Sequence, residues 1–138
     1  VLRAGIPLME GAMEAFDFAD IGFIAAYRTE LTTREVQVQV DYMAIPSLKD
    51  RYVILIDPML ATGKSMLLSY EAMLIRGTPK MLFIMALIAS EQGIKNVQKR
   101  LPDAHIYVGA VDKELTARAY IVPGLGDAGD LAYGSMHS

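Results

Sequence analysis

The chain has 138 residues, with 53% hydrophobic and 21% charged residues, which suits one ordinary domain with a substantial core. A net charge of −3 gives no reason to expect nucleic-acid binding, so any anionic ligand must be held by local groups. The absence of cysteine excludes disulfides and cysteine-based metal sites and fits a cytoplasmic protein. The longest apolar run, Met81 to Ala89, is too short to span a bilayer, and no signal peptide is legible; no membrane association is expected.

Val1-Leu2-Arg3-Ala4-Gly5 reads as the end of a strand running into a loop, so residues 1–138 are expected to be one domain shortened at its N-terminus. Pro7 suits a helix start, and Leu8, Met9, Ala12, Met13 and Phe16 follow at helical spacing. After a polar break at Asp17 to Asp20, Ile21 to Tyr27 reads as a strand buried through Ile21, Phe23, Ile24 and Ala25. Arg28-Thr29-Glu30 ends it, and a polar loop runs through Glu35. Val36, Val38 and Val40 alternate with polar residues, which predicts a half-exposed strand folding back as a hairpin or arm.

Val53-Ile54-Leu55-Ile56 is a run suited to a strand covered on both faces. Asp57 stands where that strand leaves the sheet. Ala61, Thr62, Gly63 and Ser65 are small, so their amides can approach an anion, and a helix follows with its partial positive charge. Ligands of open α/β sheets bind at the carboxyl ends of strands, so a phosphate site beside a carboxylate is predicted. Met66, Leu67, Tyr70, Met73 and Leu74 form the apolar face of the helix, with Gly77 and Pro79 ending it. A buried strand is predicted over Met81 to Ala89, a helix over Glu91 to Leu101 and a strand over His105 to Val108. The tail from Tyr120 to Asp130 has three glycines, one proline and two aspartates, which predicts a tight loop and no helix. Alternating strands and helices imply an α/β fold with a mostly parallel sheet flanked by helices.

Gly63-Lys64-Ser65 invites comparison with the loop that wraps nucleoside triphosphates. That loop needs a glycine where this chain has Pro58, and Met59 and Leu60 are bulky for it. A shorter cradle for one monophosphate, Ala61 to Ser65, is the better reading.

The apolar strand, Asp57, and Ala61-Thr62-Gly63-x-Ser65 resemble the sugar-diphosphate motif of type I phosphoribosyltransferases. Asp57-Pro58-Met59-Leu60-Ala61-Thr62-Gly63 is similar to the uracil phosphoribosyltransferase family in particular. The segment Tyr120-Ile121-Val122-Pro123-Gly124-Leu125-Gly126-Asp127-Ala128-Gly129-Asp130 resembles that family's uracil-binding stretch. Leu2-Arg3-Ala4-Gly5 and Tyr27-Arg28-Thr29-Glu30 match two further motifs in order. The resemblance covers essentially the whole chain.

It implies a type I phosphoribosyltransferase fold with a β-arm and a C-terminal base-binding loop. The implied reaction converts uracil and 5-phosphoribosyl 1-diphosphate (PRPP) to uridine monophosphate (UMP) and diphosphate, a pyrimidine salvage step. Asp57 and Arg28 would be catalytic. Arg3, Arg28, Asp57, Pro58, Met59, Leu60, Ala61, Thr62, Gly63, Lys64 and Ser65 would bind the sugar diphosphate. Ile121, Gly126 and Ala128 would contact uracil, and Asp127 the sugar diphosphate and its Mg²⁺. Mg²⁺ would be held chiefly through PRPP oxygens, with few protein ligands. A homodimer or larger homo-oligomer is implied as well.

Other readings stay open on the residues themselves. Arg3 and Arg28 could be surface ion-pairing residues, and Asp127 and Asp130 could cap a turn, the favoured reading for Asp130. Lys64 replaces a commonly small residue and either reaches a phosphate or points to solvent. Leu131 stands where many relatives carry arginine. His105 and His137 are assigned no role. A non-catalytic PRPP-binding or nucleotide-binding regulatory module on the same fold is the alternative function, and a phosphoribosyltransferase for another base is a weaker one.

Overall fold

A computed structural model describes residues 1–32 and 35–135, with the backbone alone for 27–32 and 35–39. His137 and part of the polar loop before Glu35 lie outside the described residues. The chain opens with a short strand-like segment, since Leu2 bridges Ala25 in parallel, and then enters helix α1, Gly5–Ala15. Strands β1, Phe23–Thr32, and β2, Glu35–Ala44, form a two-stranded antiparallel ribbon. This is the arm expected from the alternating valines. It starts later and runs further than the sequence suggested. Ile21 and Phe23 are exposed, and among the four residues expected to bury β1 only Ile24 is fully buried. Arg28 does not end the strand: it pairs with Val38 within the ribbon.

The main sheet is parallel and centred on β5, Met81–Ser90. Strand β6, His105–Asp112, lies on one side of it. Strands β3, Tyr52–Ile56, and β4, Met59–Leu60, lie along the other side. Ile56 pairs with Met85 and Met59 with Ile88, so one register runs through the interruption at Asp57-Pro58. Proline offers no N–H to a ladder. Its carbonyl serves instead, accepting from the Leu87 and Ile88 amides at 2.9 and 3.0 Å. The chain thus stays bonded to β5 through the break, with the Asp57 amide donating to the Met85 carbonyl at 3.1 Å.

Helices α2, Lys64–Met73, and α3, Glu91–Arg100, cover one sheet face. Leu82, Ile84 and Ala86 alternate along β5 on that face and pack with Met66, Met73 and Val97, all buried. An ion pair between Arg100 and Glu71 at 2.9 Å ties α3 to α2. The opposite face is less covered than a doubly wound sheet requires. Phe83 stacks on His105 with ring centroids 5.3 Å apart and lies beside Tyr52 and Tyr107, both exposed. With Met9 and Met13 of α1 and Phe16 just past its end, this face lines an apolar groove of about 970 Å³. The expectation that β3 is covered on both faces therefore fails: only Leu55 is fully buried, because β3 is an edge strand. Past β6 the short strands β7, Glu114–Leu115, and β8, Ile121–Val122, pair antiparallel. Helix α4, Ala128–Tyr133, follows.

Candidate functional site

Asp57 leaves β3 at its carboxyl end, where its Oδ1 accepts from the Met59 amide at 3.4 Å. The Val1 amino group beside it donates to the Ile56 carbonyl at 2.5 Å. Asp57 is therefore close to the segment that leads into Arg3.

Pro58 and Leu60 are buried and anchor the loop. Ala61 to Gly63 then run across the start of α3. Gly63 has φ of +80°, a left-handed conformation that favours glycine, and a Cβ there would meet Val97 Cγ2 at 2.9 Å. No side chain caps α2, whose first turn begins at Lys64. The Lys64 amide donates to Thr62 Oγ1 at 3.3 Å, and the Lys64 side chain is exposed. Ser65 is half-buried beside it. An uncapped helix start behind a small-residue loop is suited to an anion.

The tail approaches from the other end of the chain. Ile121 is buried and pairs with Leu115 in the β7–β8 ladder. The Gly124 amide donates to Asp112 Oδ2 at 3.0 Å, which fastens the loop to the end of β6. Gly126 has φ of +85°. Asp127 Oδ1 accepts from the Asp130 amide at 2.9 Å and caps α4. The expectation of a loop without a helix is corrected here: the cap at Asp127 turns Ala128 onward into a short helix despite the glycines.

Arg3 joins the two regions. Its Nη2 donates to Asp130 Oδ1 at 2.6 Å and its Nη1 to the Gly134 carbonyl at 3.1 Å. A Cβ on buried Gly129 would lie 3.4 Å from Arg3 Nε and 3.2 Å from Asp127 Oδ1. Asp130 is thus an ion-pair partner, and the turn-capping role expected for it falls to Asp127. Three of the five N–H groups of Arg3 remain outside these two bonds. Arg28 lies on the arm, and its side chain is outside the described residues.

Sequence reasoning missed Ser90 and Asn96. Ser90 is fully buried and donates to the Ala61 carbonyl at 2.5 Å while accepting from the Gly93 amide at 2.8 Å. Asn96 Nδ2 donates to the Thr62 carbonyl at 3.0 Å. A serine just before a helix, with glutamate next to it, was the available signal.

A parallel sheet with an acidic residue and an uncapped small-residue loop at its carboxyl edge, together with the β-arm, defines the type I phosphoribosyltransferase fold. A solved protein structure from Aquifex aeolicus has the same fold, with a TM-score of 0.89 and 34% identity over 99% of this chain and 64% of that one. The model of the uracil phosphoribosyltransferase family matches residues 1–135, and the chain belongs to that family. It is 43% identical to a uracil phosphoribosyltransferase of Porphyromonas gingivalis over 97% of this chain and 62% of the relative. It is 46% identical to that of Pyrobaculum arsenaticum, over 96% and 63%. The chain therefore spans roughly three fifths of the length of these curated relatives.

Proposed function

We propose that the protein is a uracil phosphoribosyltransferase, joining uracil to the ribose of PRPP to give UMP and diphosphate. The family match over residues 1–135 carries this reading. The geometry is compatible with it. The cradle from Ala61 to Ser65 would take the 5′-phosphate on its amides, with Thr62 and Ser65 hydroxyls adding donors and exposed Lys64 adding charge. Asp57 would accept from ribose hydroxyls and stabilise the positive charge that develops on the ring as the diphosphate departs. Arg3 and Arg28 would neutralise the leaving diphosphate.

Ile121, Gly126 and Ala128 would present backbone groups to uracil. The exocyclic amine of cytosine would then meet a donor, leaving buried polar groups unpaired, and purines would be too large. Among the described residues no group of three or more acidic, histidine or cysteine side chains forms a metal cage. The ion would be carried in by substrate oxygens, with Asp127, one carboxylate oxygen of which caps α4, as the protein contact. Mg²⁺ bound there would neutralise diphosphate charge. Cytoplasmic placement and homo-oligomers belong to the same proposal, the first supported by a substrate too highly charged to cross a membrane unaided.

The test is incubation of the purified protein with uracil, PRPP and Mg²⁺. UMP and diphosphate should form in equal amounts. Binding of PRPP without turnover would favour a non-catalytic module of the same fold. UMP analogues forming faster with guanine or hypoxanthine than with uracil would overturn the base assignment.

A further inference from the structure

The amides of the Ala61–Ser65 cradle can receive an anion only if they point away from the protein, and nothing in the loop's own sequence sets that direction. The structure sets it from α3. Ser90 Oγ holds the Ala61 carbonyl at 2.5 Å, and Asn96 Nδ2 holds the Thr62 carbonyl at 3.0 Å. Neither peptide following those carbonyls is cis. In a planar trans peptide the C=O and the next N–H point in opposite directions. Tying the two carbonyls toward α3 therefore turns the Thr62 and Gly63 N–H groups outward, away from α3. Neither donates to another described residue.

Three further observations show that this contact is built closely. Ser90 is fully buried, and its hydroxyl also caps α3 by accepting from the Gly93 amide at 2.8 Å, so its proton is directed at Ala61. A Cβ on Gly93 would collide with the Ala61 carbonyl and lie 2.6 Å from the Leu60 carbonyl, so only glycine lets α3 come this near. Gly63 is close on the other side of the contact, where a Cβ would lie 2.9 Å from Val97 Cγ2 and 3.2 Å from the Gly93 carbonyl. The geometry points to Ser90 and Asn96 as positioning residues for the 5′-phosphate: they orient the cradle by holding its carbonyls back and touch no substrate. This inference rests on the phosphate reading of the cradle under the proposed function.

The test uses ribose 5-phosphate as the probe, by calorimetry, together with steady-state kinetics on the protein and on Asn96→Ala and Ser90→Ala. Asn96 is exposed, so its variant is expected to fold, and it decides the matter alone if Ser90→Ala does not. Each variant should bind ribose 5-phosphate about fivefold to tenfold more weakly, the worth of one hydrogen bond. The KM for PRPP should rise by a similar factor, with kcat and the KM for uracil within about twofold of the parent protein. A merely structural role would lower thermal stability without separating the two KM values. Variants that bind ribose 5-phosphate as tightly as the parent would overturn the inference. A parent protein that fails to bind ribose 5-phosphate while its tail still binds uracil would overturn the phosphate reading of the cradle itself.

Discussion

Asp57 and Arg28 are the residues proposed to carry the chemistry of the reaction, and they differ in how far the fold explains them. Asp57 stands just past the end of β3, at the Asp57-Pro58 break and close to the segment leading into Arg3. Replacing it by asparagine removes the charge and keeps the shape. Asp57→Asn should lower kcat about a hundredfold, the scale of losing one preorganised electrostatic contact. Arg28→Ala should lower turnover as well; steady-state rates of UMP formation check both, and unchanged rates in both variants would remove these two assignments while leaving the family membership intact. Asp130 belongs to a different class. Its pairing with Arg3 is short, yet the two side chains are 42% and 32% exposed, so solvent screens the attraction. Asp130→Ala should cost less than about 1 kcal/mol in urea unfolding. A loss of several kcal/mol would mean that α4 depends on this contact more than its exposure implies.

At the scale of elements, the cradle is an agreement between a loop and a helix that are distant in sequence. The loop supplies small residues and α3 supplies the surface that holds them. Gly93 is the tightest point, since α3 lies against the Leu60 and Ala61 carbonyls where any side chain would intrude. Gly93→Ala should therefore destabilise the protein by about 1–3 kcal/mol, as overpacking does, although alanine is the better helix former. It should also weaken phosphate binding, because the helix must back away from the loop. Thermal unfolding in parallel with ribose 5-phosphate titration measures both. A more stable Gly93→Ala protein would contradict the closeness of this packing. The tail behaves similarly: Asp112 at the end of β6 holds the Gly124 amide, and Arg3 from the other end of the chain holds α4.

Over the whole molecule, stability is concentrated on one side of the sheet. Ile84 sits at the middle of β5 with no exposed surface, between Leu55 and the buried side chains of α2 and α3. Ile84→Ala should cost about 2–5 kcal/mol by denaturant unfolding. The other face carries the apolar groove between α1 and the Phe83, Met85 and Tyr107 row. None of the residues proposed to bind ligand from Asp57 to Ser65 or from Ile121 to Ala128 lines that groove. That groove is thus not the candidate site, which is instead a set of loops at the carboxyl ends of β3 and β5.

Much of this was legible in the sequence because it is local chemistry. The apolar run before Asp57, the small residues before α2, the alternating valines of the arm and the glycines of the tail each fix a backbone habit within a few positions. Pro58 excluded a triphosphate loop for the same reason, since a missing N–H is a property of one residue. The rest depended on long-range contacts that no window of sequence contains. That β3 is an edge strand, that Asp127 caps a helix where a loop was expected, and that Arg3 reaches Asp130 across nearly the whole chain were decided by tertiary structure. So was the orientation of the cradle. The sequence by itself determined which residues can bind an anion, through their size and missing side chains; the packing of α3 decided which way their amides point, because a planar peptide turns its N–H outward only when something distant holds its carbonyl in.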